Sequence, residues 1–352
     1  MCFNQRSFEM VKTVEIVSLS RGVLGEDFLA HELKLGTERL EKMGLSVRFS
    51  ENALKGLEYI EKHPEERAKD LIAAFENSEV DMILCAIGGD DTYRLLPYLF
   101  ANDELKKAVQ GKNKIFLGYS DTTINHFMLH SVGVKTFYGQ SFLADICELG
   151  SDIMPYTRKY FEELIKTGTI AEIRPSDIWY DGRTDFSVSQ LGVDCASHEN
   201  QGFELLQGAP RFSGKILGGC IDSIYDIFNG ERYEDMPVLC EKYGLFPKAT
   251  DWEGRILLLE SSEEKPSPEK YEKALLYLKN AGVFDVISGV LVGKPMDETY
   301  YNEYKDVLIK TIGNSKLPIL YNINIGHATP HCIMPFGVNA NVDAEKQIIS
   351  FE

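Results

Sequence analysis

VDMILCAIGGDDTYRLLPYL (80–99) and KIFLGYSDTTINHFMLH (114–130) are the two stretches that decide the fold. Each opens on an apolar run, turns over glycine or a small polar residue, and continues into a helical pattern. A strand apolar on both faces belongs in a parallel sheet covered on both sides by helices. The cadence extends outward. VEIVSL (14–19), LSVRF (45–49) and VKTFYG (134–139) read as strands. Asp27 to Met43, stopped by Gly44, reads as a helix, as do Pro64 to Phe75, Thr92 to Leu99, Asp121 to His130 and residues 155–167. The first nine or so residues read as a loose tail.

From about 171 to 213 the periodicity dissolves into polar, Gly- and Asp-containing sequence, which we read as a linker or partly ordered crossover. A second α/β unit follows. It has GKILGG (214–219), a helix from Cys220 to Phe228, RILLLE (255–260), and a helix from Pro268 to Asn280 capped by Ser267. It continues with VISGVLVG (286–293), a helix near 301–312, PILYNINIG (318–326), and closing strands near 336–342 and 346–351. The expected architecture is α/β in two domains. Residues 1–170 form a parallel-sheet domain of flavodoxin or Rossmann type, and residues 214–352 an α/β domain with a mixed sheet.

The 352 residues are 44% apolar, 26% charged and 11% aromatic, an ordinary globular composition. The formal charge is −17, from 37 basic and 54 acidic residues. Such a surface repels phosphate backbones and anionic lipid heads, so nucleic acid and membrane are poor partners. The seven cysteines, Cys2, Cys85, Cys147, Cys195, Cys220, Cys240 and Cys332, are odd in number and widely spaced, without C-x-x-C. That pattern argues against a disulfide framework and a zinc site and points to a reducing cytoplasm. No apolar run approaches membrane-spanning length, and the N-terminus lacks the apolar core of a signal peptide.

Open α/β sheets place ligands at the carboxyl ends of their strands, and three such ends carry chemistry. In Gly118-Tyr119-Ser120-Asp121-Thr122 a strand runs into a helix with serine at the turn. That geometry lifts a hydroxyl above the sheet and aims helix amides at the place where an oxyanion forms. The pattern is not G-x-S-x-G, and the pentapeptide alone favours a helix cap. In Ile87-Gly88-Gly89-Asp90-Asp91-Thr92 the glycines let a ligand approach backbone amides. The run is also a tight turn with an Asp cap, and it stands one residue from the GGDGT of certain kinases. No clustered carboxylates supply the metal that a kinase needs. Glu260 ends ILLLE and His327 follows NINIG. A carboxylate from a neighbouring strand end can orient a histidine, though each residue taken singly reads as ordinary. His331, His126 and His130 are weaker candidates. The last two lie four apart on one helix without a third ligand, so no metal site is read there.

Together these segments resemble the serine peptidase family that holds the LD-carboxypeptidases of murein recycling and the microcin C immunity peptidases. The resemblance runs through SLSRGVLGE (18–26), residues 65–99, FLGYSDTT (116–123), GKILGGCIDSI (214–224), GRILLLE (254–260) and IGHATPHCIMPFG (325–337). It implies Ser120 as nucleophile, Glu260 as carboxylate and His327 as general base. The implied oxyanion donors are the amides of Asp121 and Gly89. It implies no cofactor, no metal and a homodimer. Two departures touch substrate contacts: Gly218-Gly219-Cys220 where the family often has Gly-Gly-Asn, and Gly202-Phe203 where Trp commonly follows Gly. The IGGDDT and GGC variants lean toward the microcin-immunity branch. The expected substrate there is a peptidyl or aminoacyl group in amide linkage to a modified nucleotide, contacted by Gly88, Asp90 and an aromatic platform from Trp179 or Phe203. The alternative is cleavage of a murein tetrapeptide before a terminal D-amino acid, whose carboxylate needs a buried cation. A GGD-type kinase and a non-catalytic ligand-binding relative are the rivals from other classes.

Overall fold

The computed structural model describes residues 10–352, so the expected N-terminal tail, with Cys2, lies outside the described residues. The first half contributes strands β1 (Thr13–Val17), β2 (Ser46–Phe49), β3 (Met82–Cys85), β4 (Ile115–Gly118) and β5 (Phe137–Tyr138). There follow β6 (Glu172–Ile173), β7 (Ile178–Tyr180), β8 (Ser197–Glu199), β9 (Glu204–Gln207) and β10 (Arg211–Cys220). The rest are β11 (Ile256–Glu260), β12 (Gly289–Gly293), β13 (Ile319–Ile323), β14 (Met334–Pro335), β15 (Asn339–Asp343) and β16 (Ile348–Phe351).

One sheet has the order β14-β5-β4-β3-β1-β2. Its first five strands pair in parallel as 2-1-3-4-5, the flavodoxin-like order, and β14 joins antiparallel from the far end of the chain. The second sheet has the order β6-β16-β15-β10-β11-β12-β13-β9. Strands β10 to β13 are parallel, and both flanks are antiparallel. The protein is therefore α/β with a parallel N-terminal sheet and a mixed C-terminal one. Every residue of β3, β4, β11, β12 and β13 is buried, as their unbroken apolar runs require.

Several elements differ from the sequence reading. The helix expected from Asp27 begins at Ala30, after 3-10 turns at Val23–Gly25 and Asp27–Leu29. No side chain caps that start, so the first turns tighten instead. Thr92 to Leu99 splits into a 3-10 turn, Thr92–Leu95, and a helix, Leu96–Phe100, with Pro97 in its first turn. The strand expected over 134–139 shrinks to two residues. Residues 171–213, read as linker or partly ordered crossover, carry β6 and β9 of the large sheet and the β7–β8 hairpin. Strand β8 is exposed throughout, so no apolar alternation marks it.

The carboxyl ends of β1, β3 and β4 meet through one buried polar network. Arg67, on the helix Pro64–Glu76, is fully buried and donates to both oxygens of Asp91, at 2.6 and 3.1 Å. It also donates to the carbonyls of Leu19 and Ser20. The Ser20 hydroxyl donates to Asp121 at 2.7 Å and accepts the amides of Asp90 and Asp91. The Thr92 amide donates to the same Asp121 oxygen. Breaking a buried pair from one side strands the other charge. We expect Arg67→Met to lower unfolding free energy by about 3–5 kcal/mol, read from urea melts; a loss under about 1 kcal/mol contradicts this account of the turn.

Candidate active site

Ser120 stands between β4 and the helix Thr122–Ser131. Its φ is +65°, a left-handed conformation costly for a residue with a Cβ. The following helix has no side-chain cap, so the hydroxyl is not spent on capping. It lies 3.1 Å from Nε2 of His327, whose Nδ1 lies 2.8 Å from Oε2 of Glu260. Glu260 closes β11 and is 1% exposed. Its other oxygen accepts the Tyr138 hydroxyl at 2.6 Å, and that hydroxyl accepts the Ser120 amide at 3.1 Å. Gly326 lets His327 come this close, because a Cβ there would stand 2.5 Å from Oε2 of Glu260.

An imidazole bonded to a hydroxyl on one side and a carboxylate on the other can take the hydroxyl proton and stabilise the cation it becomes. Beside the hydroxyl is space for a reacting carbonyl. A Cβ on Gly88 would stand 2.9 Å from Ser120 Oγ and 3.2 Å from the Asp121 nitrogen, so that volume is open because residue 88 has no side chain. The Ser120 amide is bound to Tyr138, whereas no loop hydrogen bond among the described residues uses the amides of Gly89 or Asp121. The Asp121 carboxyl is raised to about 7 by burial, against the Ser20 and Thr92 hydrogen bonds.

Ser120, His327, Gly88 and Gly89 line a cavity of about 210 Å³. Asp90 faces a smaller recess, and its carboxylate is held by Arg232 at 3.1 Å and the Tyr233 hydroxyl at 3.0 Å. With Asp91 held by Arg67, neither acid of the GGDD turn is free for a metal, which removes the basis of the kinase reading. The aromatics expected as a platform lie elsewhere. Trp179 is buried, stacked on His198 at 4.3 Å with Lys294 over its ring, and Phe203 is packed in the core. Neither lines the cavity. The segment read as linker supplies its wall instead, through Asp181, Gly182, Arg183, Phe186 and Cys195.

His126 is a core residue. Its ring nitrogens meet the Thr136 hydroxyl and the Gly118 carbonyl, and burial lowers it to about 4. Cys220, Glu260 and His327 have potential ligand atoms within 4.8 Å of one another. Both nitrogens of the histidine and both oxygens of the glutamate are already hydrogen-bonded. Burial holds the Cys220 thiol protonated, so the set is disposed for proton transfer rather than for a cation.

The chain matches the LD-carboxypeptidase N-terminal domain over residues 14–139 and the LD-carboxypeptidase C-terminal domain over 213–342. It belongs to the LD-carboxypeptidase family. The structure of an MccF-like protein from Streptococcus pneumoniae, in complex with AMP, is 61% identical. It superposes with a TM-score of 0.96 over 97% of this chain and 99% of that one. A putative carboxypeptidase of Vibrio cholerae is 28% identical, over 82% of this chain and 79% of its own length. The Escherichia coli microcin C7 self-immunity protein MccF is 24% identical, over 90% of this chain and 86% of its own. This LD-carboxypeptidase family member is a serine hydrolase. Among the described residues no helix is long and apolar enough to cross a membrane.

Sequence reasoning missed Glu263. Its Oε2 lies 2.9 Å from Nε2 of His327, the nitrogen that also faces Ser120. It reaches in from an exposed loop three residues past Glu260, where a run of polar residues carries no signal. Burial by itself lowers the His327 pKa; Glu260 and then Glu263 outweigh it and hold the imidazole well above its usual 6.5. The hydrogen bond from His327 in turn holds Glu263 at about 2. A general base must be neutral. With its pKa raised, the base form is lost as pH falls through a value above 6.5, so activity should sit on the alkaline side. Glu263→Gln removes one negative neighbour and should move the acidic limb of the kcat/KM–pH profile, which reports the free enzyme, downward. A limb that stays put or rises would contradict this electrostatic account.

Proposed function

We propose that Ser120 is the nucleophile, His327 the general base and acid, and Glu260 the carboxylate that orients the imidazole. Ser120 Oγ attacks an amide carbonyl as His327 accepts its proton. The amides of Gly89 and Asp121 hold the tetrahedral oxyanion. His327 then protonates the leaving amine, and water hydrolyses the acyl-enzyme by the same route in reverse. The observation that carries this reading is the continuous Ser120–His327–Glu260 hydrogen-bonded chain, built on a serine of positive φ at the mouth of a cavity.

The substrate class we infer is a peptidyl or aminoacyl group in amide linkage to a nucleotide. The AMP carried by the 61% identical relative supports it. So does Phe186, a 53% exposed aromatic on the cavity wall, which offers a base the stacking face that Trp179 and Phe203 do not. Release of a terminal D-amino acid from a murein peptide is the second reading, favoured by the match to both LD-carboxypeptidase domains. We further propose that two copies pair and that the protein works in the cytoplasm. The cysteines among the described residues are free, in keeping with a reducing compartment.

Ser120→Ala should lower turnover of an aminoacyl-sulfamoyl adenosine by about 10³-fold or more, with stability changed by under about 1 kcal/mol. His327→Ala should cost as much, and the double variant little more, since the two act as a unit. Steady-state rates on that substrate and on a murein tetrapeptide, measured side by side, separate the two substrate classes. Retention of more than about a tenth of turnover by Ser120→Ala, under ~1.4 kcal/mol of barrier, would make Ser120 a bystander.

A further inference from the structure

A second histidine faces the same cavity with its carboxylate already in place. His331 is 1% exposed and lines the cavity beside Tyr119, whose ring lies 5.1 Å from His327 and 5.2 Å from His331. Its Nδ1 lies 2.5 Å from Oδ1 of Asp145, and the other Asp145 oxygen accepts the Ser141 amide at 2.8 Å. The backbone is pinned too: its amide donates to Thr157 and its carbonyl accepts Gln140. Yet Nε2 is buried without any hydrogen-bond partner. A buried polar atom left unmatched on an otherwise fixed ring is costly unless a water, an ion or a ligand answers it.

The charges of the cavity wall say what that is. Three acids line it, and each has a partner. Glu148 is bound by Arg183, Asp181 meets His198 at 2.7 Å, and Glu263 meets His327. Arg21 also lines the wall, next to the oxyanion loop, where its amide donates to the Gly88 carbonyl. Its exposed guanidinium has no ion pair or hydrogen bond among the described residues. Of the charged side chains on the wall, Arg21 alone has no ion-pair or hydrogen-bond partner among the described residues. With Nδ1 committed to Asp145, Nε2 is the ring atom left to meet a substrate group.

We propose that Arg21 and the Asp145-held His331 form a subsite for an anionic group borne by the leaving amine, the phosphoramidate or sulfamate of a nucleotide or the terminal carboxylate of a peptide. The proposal rests on Ser120 being the nucleophile of this cavity. Both substrate classes carry such an anion just beyond the scissile nitrogen, so one subsite serves either. Held there, the anion fixes the amide over Ser120, and a bidentate arginine suits phosphate and carboxylate alike.

The test uses two matched pairs of substrates. One is aminoacyl-sulfamoyl adenosine against the neutral aminoacyl amide of 5′-amino-5′-deoxyadenosine. The other is a murein tetrapeptide ending in D-alanine against its C-terminal amide. Arg21→Gln, at an exposed position, should lower kcat/KM for the anionic member of a pair by about 10- to 100-fold, the value of a charge-assisted hydrogen bond. It should lower the neutral member by less than about 2-fold, and Arg21→Lys should restore part of the loss. The pair that shows this split names the source of the anion. His331→Gln should repeat the pattern if it folds. An equal fall on both members, or no fall, overturns the subsite. If the wild type hydrolyses none of the four, the hydrolytic reading fails by itself, and calorimetry with AMP still reads the subsite. Binding weakened by a similar factor in Arg21→Gln supports it, and unchanged binding overturns it.

Discussion

The Glu260 carboxylate is the contact on which the two halves of this molecule depend. A charge buried to 1% exposure is costly unless every lone-pair direction is answered. Here one oxygen takes the Tyr138 hydroxyl from the N-terminal sheet, and the other takes the His327 ring from the C-terminal half. Tyr138 in turn holds the Ser120 amide, so one acid registers the serine turn and the histidine against each other. The neighbouring chain supports the same seam. The Thr123 hydroxyl, on the serine helix, donates to the Ser120 carbonyl and accepts the Cys220 amide from the end of β10. Strand β14 then ties the segment after His327 directly into the N-terminal sheet, by pairing with β5.

That seam explains why a strained serine can persist. A non-glycine residue at positive φ is held only where its surroundings over-determine it. Around Ser120 they do. Its amide, its carbonyl and its hydroxyl are each bonded, and Asp121 next to it is anchored by Ser20 and Thr92. Because Ser20 also holds the Asp90 and Asp91 amides, the GGDD turn and the serine turn are fixed to each other. The two amides proposed to hold an oxyanion therefore keep their spacing without help from substrate. The second acid of the turn, the residue at which GGDDT departs from the kinase-like GGDGT, is spent on Arg67 deep in the domain.

The sequence was informative wherever a feature follows from burial or chain geometry. Strands β3, β4, β11 and β13 announce themselves as apolar runs, and Ser120, Glu260 and His327 each stand at the end of one. What escaped were features made by partners distant in the chain. Tyr138 lies 122 residues from the carboxylate it holds, and nothing in FYG marks that bond. Strand β8 is wholly exposed and, among the described residues, pairs only with β7, so residues 171–213 lack the alternation that would reveal them as part of the cavity wall. Trp179 and Phe203 were attractive as large aromatics near the expected cleft. Their apolar area is buried instead, and the exposed ring that reaches the cavity is Phe186, flanked by polar residues.

The proposed mechanism then meets a constraint of its own. Nε2 of His327 faces both Ser120 and Glu263, and it cannot accept a proton from the first while donating one to the second. The ion pair with Glu263 favours a protonated imidazole, the wrong form for a general base. Catalysis through Nε2 requires the two to separate, and Glu263 lines the space that a substrate would fill. Its carboxylate is 63% exposed and sits on a loop, so moving it aside costs little packing. With Glu263 moved aside, one of the charges that hold the proton on His327 would be removed. Binding energy from the leaving side of the substrate is then spent on making the catalyst competent rather than on tighter binding alone. A poor substrate that leaves Glu263 in place meets a histidine that already carries its proton.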